Sequence, residues 1–119
     1  MIVGIGTDIV EIGRIERAYS CAGFAQRVYT EREQELIGGR ASRAAGNFAV
    51  KEAVVKAFGT GFRGIDPVEI EVLRDEAGKP YIVLRGAALA RSGELGIRQL
   101  HVSISNERQY AIAFVTAED

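Results

Sequence analysis

Apolar positions along the chain change period several times, and each change marks an element. IVGIGTDIV (2–10) is short, β-branched and interrupted by Gly4 and Gly6, the pattern of a buried strand. Side chains alternate in an extended chain, so Gly4, Gly6 and Asp8 share one face. A glycine inside a strand marks close approach of another backbone or of a ligand, and Asp8 stands on a face cleared by two of them. From Glu11 to about Ser20, Ile12, Ile15 and Tyr19 recur at helical spacing, with Arg14 and Arg17 on the other side of a short amphipathic helix. Thr30 opens a capping-box pattern with Glu33, starting a helix through about Ile37 that Gly38-Gly39 ends. A longer helix follows, from about Ser42 to Phe58. VEIEVL (68–73) alternates as a strand, RDEAGKP turns, and YIVL (81–84) returns as its hairpin partner. GAALARSGELG gives a short helix closed by Gly96, and LHVSIS (100–105) pairs with YAIAFV (110–115) in a second hairpin. This order predicts an α+β fold, a mostly antiparallel sheet with helices packed on it. With no repeat, linker or low-complexity segment, residues 1–119 are expected to form a single domain.

Composition narrows the classes. Charged residues make up 26% of the chain and hydrophobic ones 47%, an ordinary globular balance. A net charge of -1 argues against a nucleic-acid coat or a basic membrane binder, so neither partner is expected. The single cysteine, Cys21, excludes an internal disulfide and any multi-cysteine metal site. No apolar run reaches the length of a membrane span, and MIVGIGTDIVEIGRIERAYS lacks the basic start and apolar core of a secretory signal. A cytoplasmic location is expected.

The helix NFAVKEAVVKAFGTGF carries the candidate chemistry. At 100° per residue its apolar positions cover most of the circumference, so it is expected to be largely buried, while Glu52 and Lys56 share a narrow polar notch. A buried carboxylate is costly unless it is paired or holds a metal. Two readings stay open on spacing alone: an i,i+4 Glu–Lys pair facing solvent, or a functional notch. Gly59 can terminate the helix in the left-handed conformation, and Gly59-Thr60-Gly61 offers backbone N–H groups without bulk to a phosphate. No Lys-Ser/Thr follows the glycines, so this is not a P-loop. Asp8 and Glu52, from different elements, fit a Mg²⁺ site that keeps waters and bridges phosphates, with Lys56 as a point charge beside it. The competing role for Asp8 is capping the helix that follows. His101 alternates with Leu100, Val102 and Ile104, and spacing does not choose between a solvated histidine and a phosphate contact. No serine lies in a nucleophile-elbow context.

VGIGTDIVEIGRI, NFAVKEAVVKAFGTGF, the D-x-x-GKP turn and HVSISNERQYAIAFV together resemble the holo-acyl-carrier-protein synthases, the short phosphopantetheinyl transferases. The likeness spans nearly the whole chain in order and length. It implies the phosphopantetheinyl transferase fold and a Mg²⁺-dependent transfer of the phosphopantetheine arm of coenzyme A to a serine of an acyl carrier protein, releasing adenosine bisphosphate. By the same resemblance Asp8 and Glu52 match the metal ligands, with Glu52 also the candidate for taking the serine proton. Lys56 matches the helix lysine of catalysis and coenzyme A binding, and His101 the late-strand histidine. Gly59, Thr60 and Gly61 would let backbone approach the nucleotide. The chain departs from the pattern at Asn47, where the family often has arginine, which turns attention to Arg40 or Arg43 for the coenzyme A phosphate. Arg14 matches the first-helix arginine, and with Arg17 and Arg27 is expected to meet the acidic carrier protein. A homotrimer with sites between subunits is also implied.

Overall fold

In a computed structural model describing residues 1–119, the chain runs β1 (Ile2–Glu11), α1 (Ile12–Tyr19), α2 (Phe24–Val28), α3 (Glu31–Ile37), α4 (Ala41–Phe58), a single 3-10 turn (Pro67–Glu69), β2 (Ile70–Arg74), β3 (Pro80–Leu84), α5 (Gly86–Glu94), β4 (Gln99–Asn106) and β5 (Tyr110–Glu118). Two antiparallel sheets form, one ordered β1-β5-β4 and the other β2-β3, so the α+β expectation holds. The five-residue α2 was not anticipated, because one and a half turns carry too little periodicity to read. No helix is long and apolar enough to cross a membrane.

The core is organised around α4. Ala45, Ala49, Val50, Ala53 and Val54 are fully buried along it, and Ala111, Ala113, Val115 and Ala117 of β5 are fully buried opposite. Each buried valine contributes about 1.5–3 kcal/mol, while the alanines on both sides let helix and sheet come close. The contact is tightest at β1. A Cβ on Gly4 or Gly6 would run into the carbonyls of Ala57 and Ala53, so the strand glycines mark the approach of helix backbone. Of the two possibilities open from sequence, backbone rather than ligand clears this face.

The opposite face of the three-stranded sheet is uncovered. Ile5 and Ile9 of β1 and Tyr110, Ile112 and Phe114 of β5 are all exposed there. On β4, His101, Ser103 and Ser105 join this exposed face, and Leu100, Val102 and Ile104 turn inward as their alternation predicted.

On its other side α4 is fixed by a buried ion pair in addition to apolar packing against Ile37, Ile70 and Val72. The Thr30–Glu33 capping box forms as predicted, but Glu33 is also completely buried. Lys51, equally buried, places its ammonium 2.8 Å from Glu33 and donates to the carbonyls of Pro67 and Ile70. Asn47, one turn before, donates to Glu33 and to the Val72 carbonyl, each at 3.0 Å. Burial pushes the Glu33 carboxyl up and the Lys51 ammonium down, and their attraction works against both shifts. A completely buried charge left unpaired is strongly destabilising, so the pair locks α3, α4 and the start of β2 into one register.

Candidate functional site

Asp8 projects from β1 toward α4, because its register partner Ala113 lies on the helix-covered face. The backbone-close packing at Gly4 and Gly6 sets the next turns of α4 beside it. The Lys56 ammonium lies 3.0 Å from Asp8 Oδ1 and donates to the Thr7 carbonyl at 2.9 Å. Asp8 caps nothing: α1 begins after Glu11 and has no side-chain cap. Lys56 likewise takes Asp8, not Glu52, as its ion-pair partner. Both alternatives that spacing left open are thereby closed.

Glu52 is half-buried on the same face. Burial, and then the neighbouring Asp8 charge, hold its carboxyl above the ordinary range, against the pull of Lys56 and Arg14. Two carboxylates from facing elements, the second without an ion pair of its own, form a hard-oxygen donor set. The chain gathers no cluster of three or more ligating His, Cys, Asp or Glu side chains. A cation here would therefore complete its shell from water and substrate, the habit of Mg²⁺. On that donor chemistry the residues fit the ion. Arg14 is exposed on α1 and its charge reaches Glu52. Arg17, also exposed, lies 3.5 Å from Glu11, and Arg27 is exposed on α2.

Of the remaining expected residues, Arg40, Arg43 and His101 do not converge on this site within one chain. Gly59-Thr60-Gly61 does end α4, with Gly59 at φ 78° and Gly61 at φ 62°. Its amides are engaged, however: Gly59 donates to the Lys56 carbonyl, and Thr60 and Gly61 both donate to the Val55 carbonyl. The expectation of free N–H donors is corrected, because closing the helix consumes them. Arg40 and Arg43 sit at the start of α4, twelve and nine residues before Glu52, or about 18 and 14 Å along the axis. Arg40 lines a depression with Glu16, Tyr19 and Ile37, while Arg43 donates to the Leu36 carbonyl. His101 is on β4, beyond β5 from Asp8 and on the opposite face of the sheet, 3.0 Å from Glu118. Asn47 is wholly buried and accepts from Arg74 at 2.9 Å, so an internal role explains its identity. The buried Glu33–Lys51 pair escaped sequence reading. The one available signal was Lys51 falling outside the polar notch on a helix apolar nearly all round.

The chain from residue 4 to 115 matches the model of the 4'-phosphopantetheinyl transferase superfamily. It is 52% identical to a holo-[acyl-carrier-protein] synthase of Lachnoclostridium phytofermentans over 118 residues, covering 99% of this chain and 97% of the relative. Among solved structures it resembles the holo-[acyl-carrier-protein] synthase of Neisseria meningitidis, with a TM-score of 0.88 and 39% identity over 100% of both chains. It also resembles that of Helicobacter pylori in complex with coenzyme A, with a TM-score of 0.87 and 32% identity over 96% of this chain and 99% of the other.

Proposed function

The chain belongs to the 4'-phosphopantetheinyl transferase superfamily as a holo-acyl-carrier-protein synthase, and from that membership we propose that Asp8, Glu52 and Lys56 carry the transfer from coenzyme A to the carrier protein. The observation behind the reading is the meeting of Asp8 and Lys56 at 3.0 Å beside a Glu52 whose carboxyl is held high. The carrier's serine oxygen attacks the phosphorus that bears the phosphopantetheine arm. The bond from that phosphorus to the bridging diphosphate oxygen breaks, and adenosine 3',5'-bisphosphate leaves with the electron pair. Glu52, directly or through an intervening water, takes the serine proton. Lys56, half exposed on its long stem, stabilises charge on the diphosphate. Asp8 and Glu52 are the residues that would hold Mg²⁺, which supplies further neutralisation of that charge.

The uncovered sheet face supports a proposed assembly. A contiguous set of Ile5, Ile9, Ile112 and Phe114 is the kind of surface that another subunit covers. We infer a homotrimer in which this face is buried between copies, bringing His101, Arg40 and Arg43 of a neighbour toward the Lys56 edge of β1 to bind the nucleotide of coenzyme A. Gly59-Thr60-Gly61 contributes a low surface there rather than amide donors. Arg14, Arg17 and Arg27 present exposed positive charge to an acidic carrier protein, and this supports a docking surface on α1 and α2.

Incubating the protein with apo acyl carrier protein, coenzyme A and Mg²⁺ tests the reading. The carrier should gain the mass of one phosphopantetheine, and a chelator should stop the gain. A gain that persists unchanged after complete removal of divalent cations would overturn the metal assignment.

A further inference from the structure

The ion pair at the centre of the site sets up a competition. Asp8 is anchored in a strand and its side chain is 15% exposed, whereas the Lys56 side chain is 51% exposed. The ammonium donates to Asp8 Oδ1 at 3.0 Å and to the Thr7 carbonyl at 2.9 Å. Lysine is a compact point charge on a flexible four-carbon stem. Of the two partners, Lys56 is therefore the one free to leave. Glu52, one turn earlier on α4, keeps a carboxylate with no ion pair of its own. Any divalent cation drawn to these two carboxylates meets an ammonium already seated on one of them. Like charges so close repel strongly outside bulk water.

Resting on the reading of Asp8 and Glu52 as a cation site, we propose that Lys56 is a displaceable counter-ion: it competes with the divalent cation for Asp8, and cation loading releases the ammonium toward the phosphate-bearing substrate. Lys56 then weakens cation binding by the free protein, and it reaches the diphosphate only after it has left Asp8. One residue thereby links arrival of the cation to readiness for the anionic substrate.

Mn²⁺ titration of the full-length protein without nucleotide, read as free Mn²⁺ by electron paramagnetic resonance, tests the competition. Lys56→Met should tighten Mn²⁺ binding on the order of 5-fold, the size of a partly exposed ion pair. Lys56→Arg, which keeps the charge, should stay near wild type, and Asp8→Asn should lose the site. In crystals grown with Mn²⁺, an anomalous peak between Asp8 and Glu52 should accompany a Lys56 Nζ outside hydrogen-bond distance of Asp8. Equal affinity for wild type and Lys56→Met, with binding lost in Asp8→Asn, would overturn the competition alone. A Lys56 still bonded to Asp8 beside bound Mn²⁺ would do the same. Binding that Asp8→Asn leaves untouched would remove the cation site itself, and the competition with it.

Discussion

Replacing Gly6 with alanine adds a single methyl group where the β1 backbone lies directly against the α4 backbone. Its Cβ would meet the Ala53 carbonyl oxygen head-on, with the Ala53 carbonyl carbon at 2.8 Å and the Ala57 nitrogen at 3.0 Å. All three atoms are helix backbone, so no side chain can rotate away. Gly6 has no left-handed backbone conformation to preserve, so the whole effect comes from crowding. Relief requires α4 to retreat from β1 by roughly 1 Å, and overpacking of this kind costs about 1–3 kcal/mol. For a domain of this size that lowers Tm by roughly 4 °C per kcal/mol. The same retreat separates Asp8 from Lys56 and Glu52, and a displacement of about 1 Å in a catalytic array costs on the order of 100-fold in rate. Activity should therefore fall much further than the melting shift alone explains, at temperatures where the variant is fully folded. Gly93→Ala is the control. It lies in α5 with nothing within 4 Å of the added Cβ, and should stabilise by up to about 1 kcal/mol with transfer unchanged. Thermal melts and carrier-protein mass gain on both variants decide the matter. A Gly6→Ala protein that melts and transfers like wild type would refute the claim that backbone packing at β1 positions the site.

Lys51→Ala leaves Glu33 buried without its cation and should destabilise by about 3–5 kcal/mol in urea unfolding; a loss under 1 kcal/mol would contradict the register-locking role. Phe114→Glu places charge on the uncovered sheet face, and should convert the proposed trimer to monomer by sedimentation and abolish transfer together; loss of neither would reject the assembly. Arg14→Glu should raise the KM for carrier protein and flatten its dependence on ionic strength, with coenzyme A affinity unchanged. Equal KM values and equal salt slopes for mutant and wild type would move the docking face elsewhere.

What the sequence disclosed and what it withheld divide along physical lines. Gly4, Gly6, Asp8, Glu52 and Lys56 were legible because strand alternation and helical periodicity are local rules, and each places a side chain relative to its own element. The two hairpins were legible too, since their turns fall between alternating runs, but the pairing of β1 with β5 was not, because those strands lie at opposite ends of the chain. The identity of Lys56's partner was not, because i,i+4 spacing proposes Glu52, whereas the choice of Asp8 depends on how closely α4 approaches β1. The buried Lys51, Glu33 and Asn47 network was hidden for the same reason: a lysine beside a glutamate reads as surface until three elements close over it. At Gly59-Thr60-Gly61, composition suggested available amides, and only the helix-closing bonds to Val55 and Lys56 show where they are spent.

The most direct measurement of the central claim is the rate of phosphopantetheine transfer to apo carrier protein by wild type, Asp8→Ala and Glu52→Ala across a Mg²⁺ series, with folding of each variant checked by thermal melting. Both variants should remain folded and lose on the order of 100-fold or more of the transfer rate at every Mg²⁺ concentration. Either variant transferring at near the wild-type rate at limiting Mg²⁺ would contradict a shared Asp8–Glu52 site.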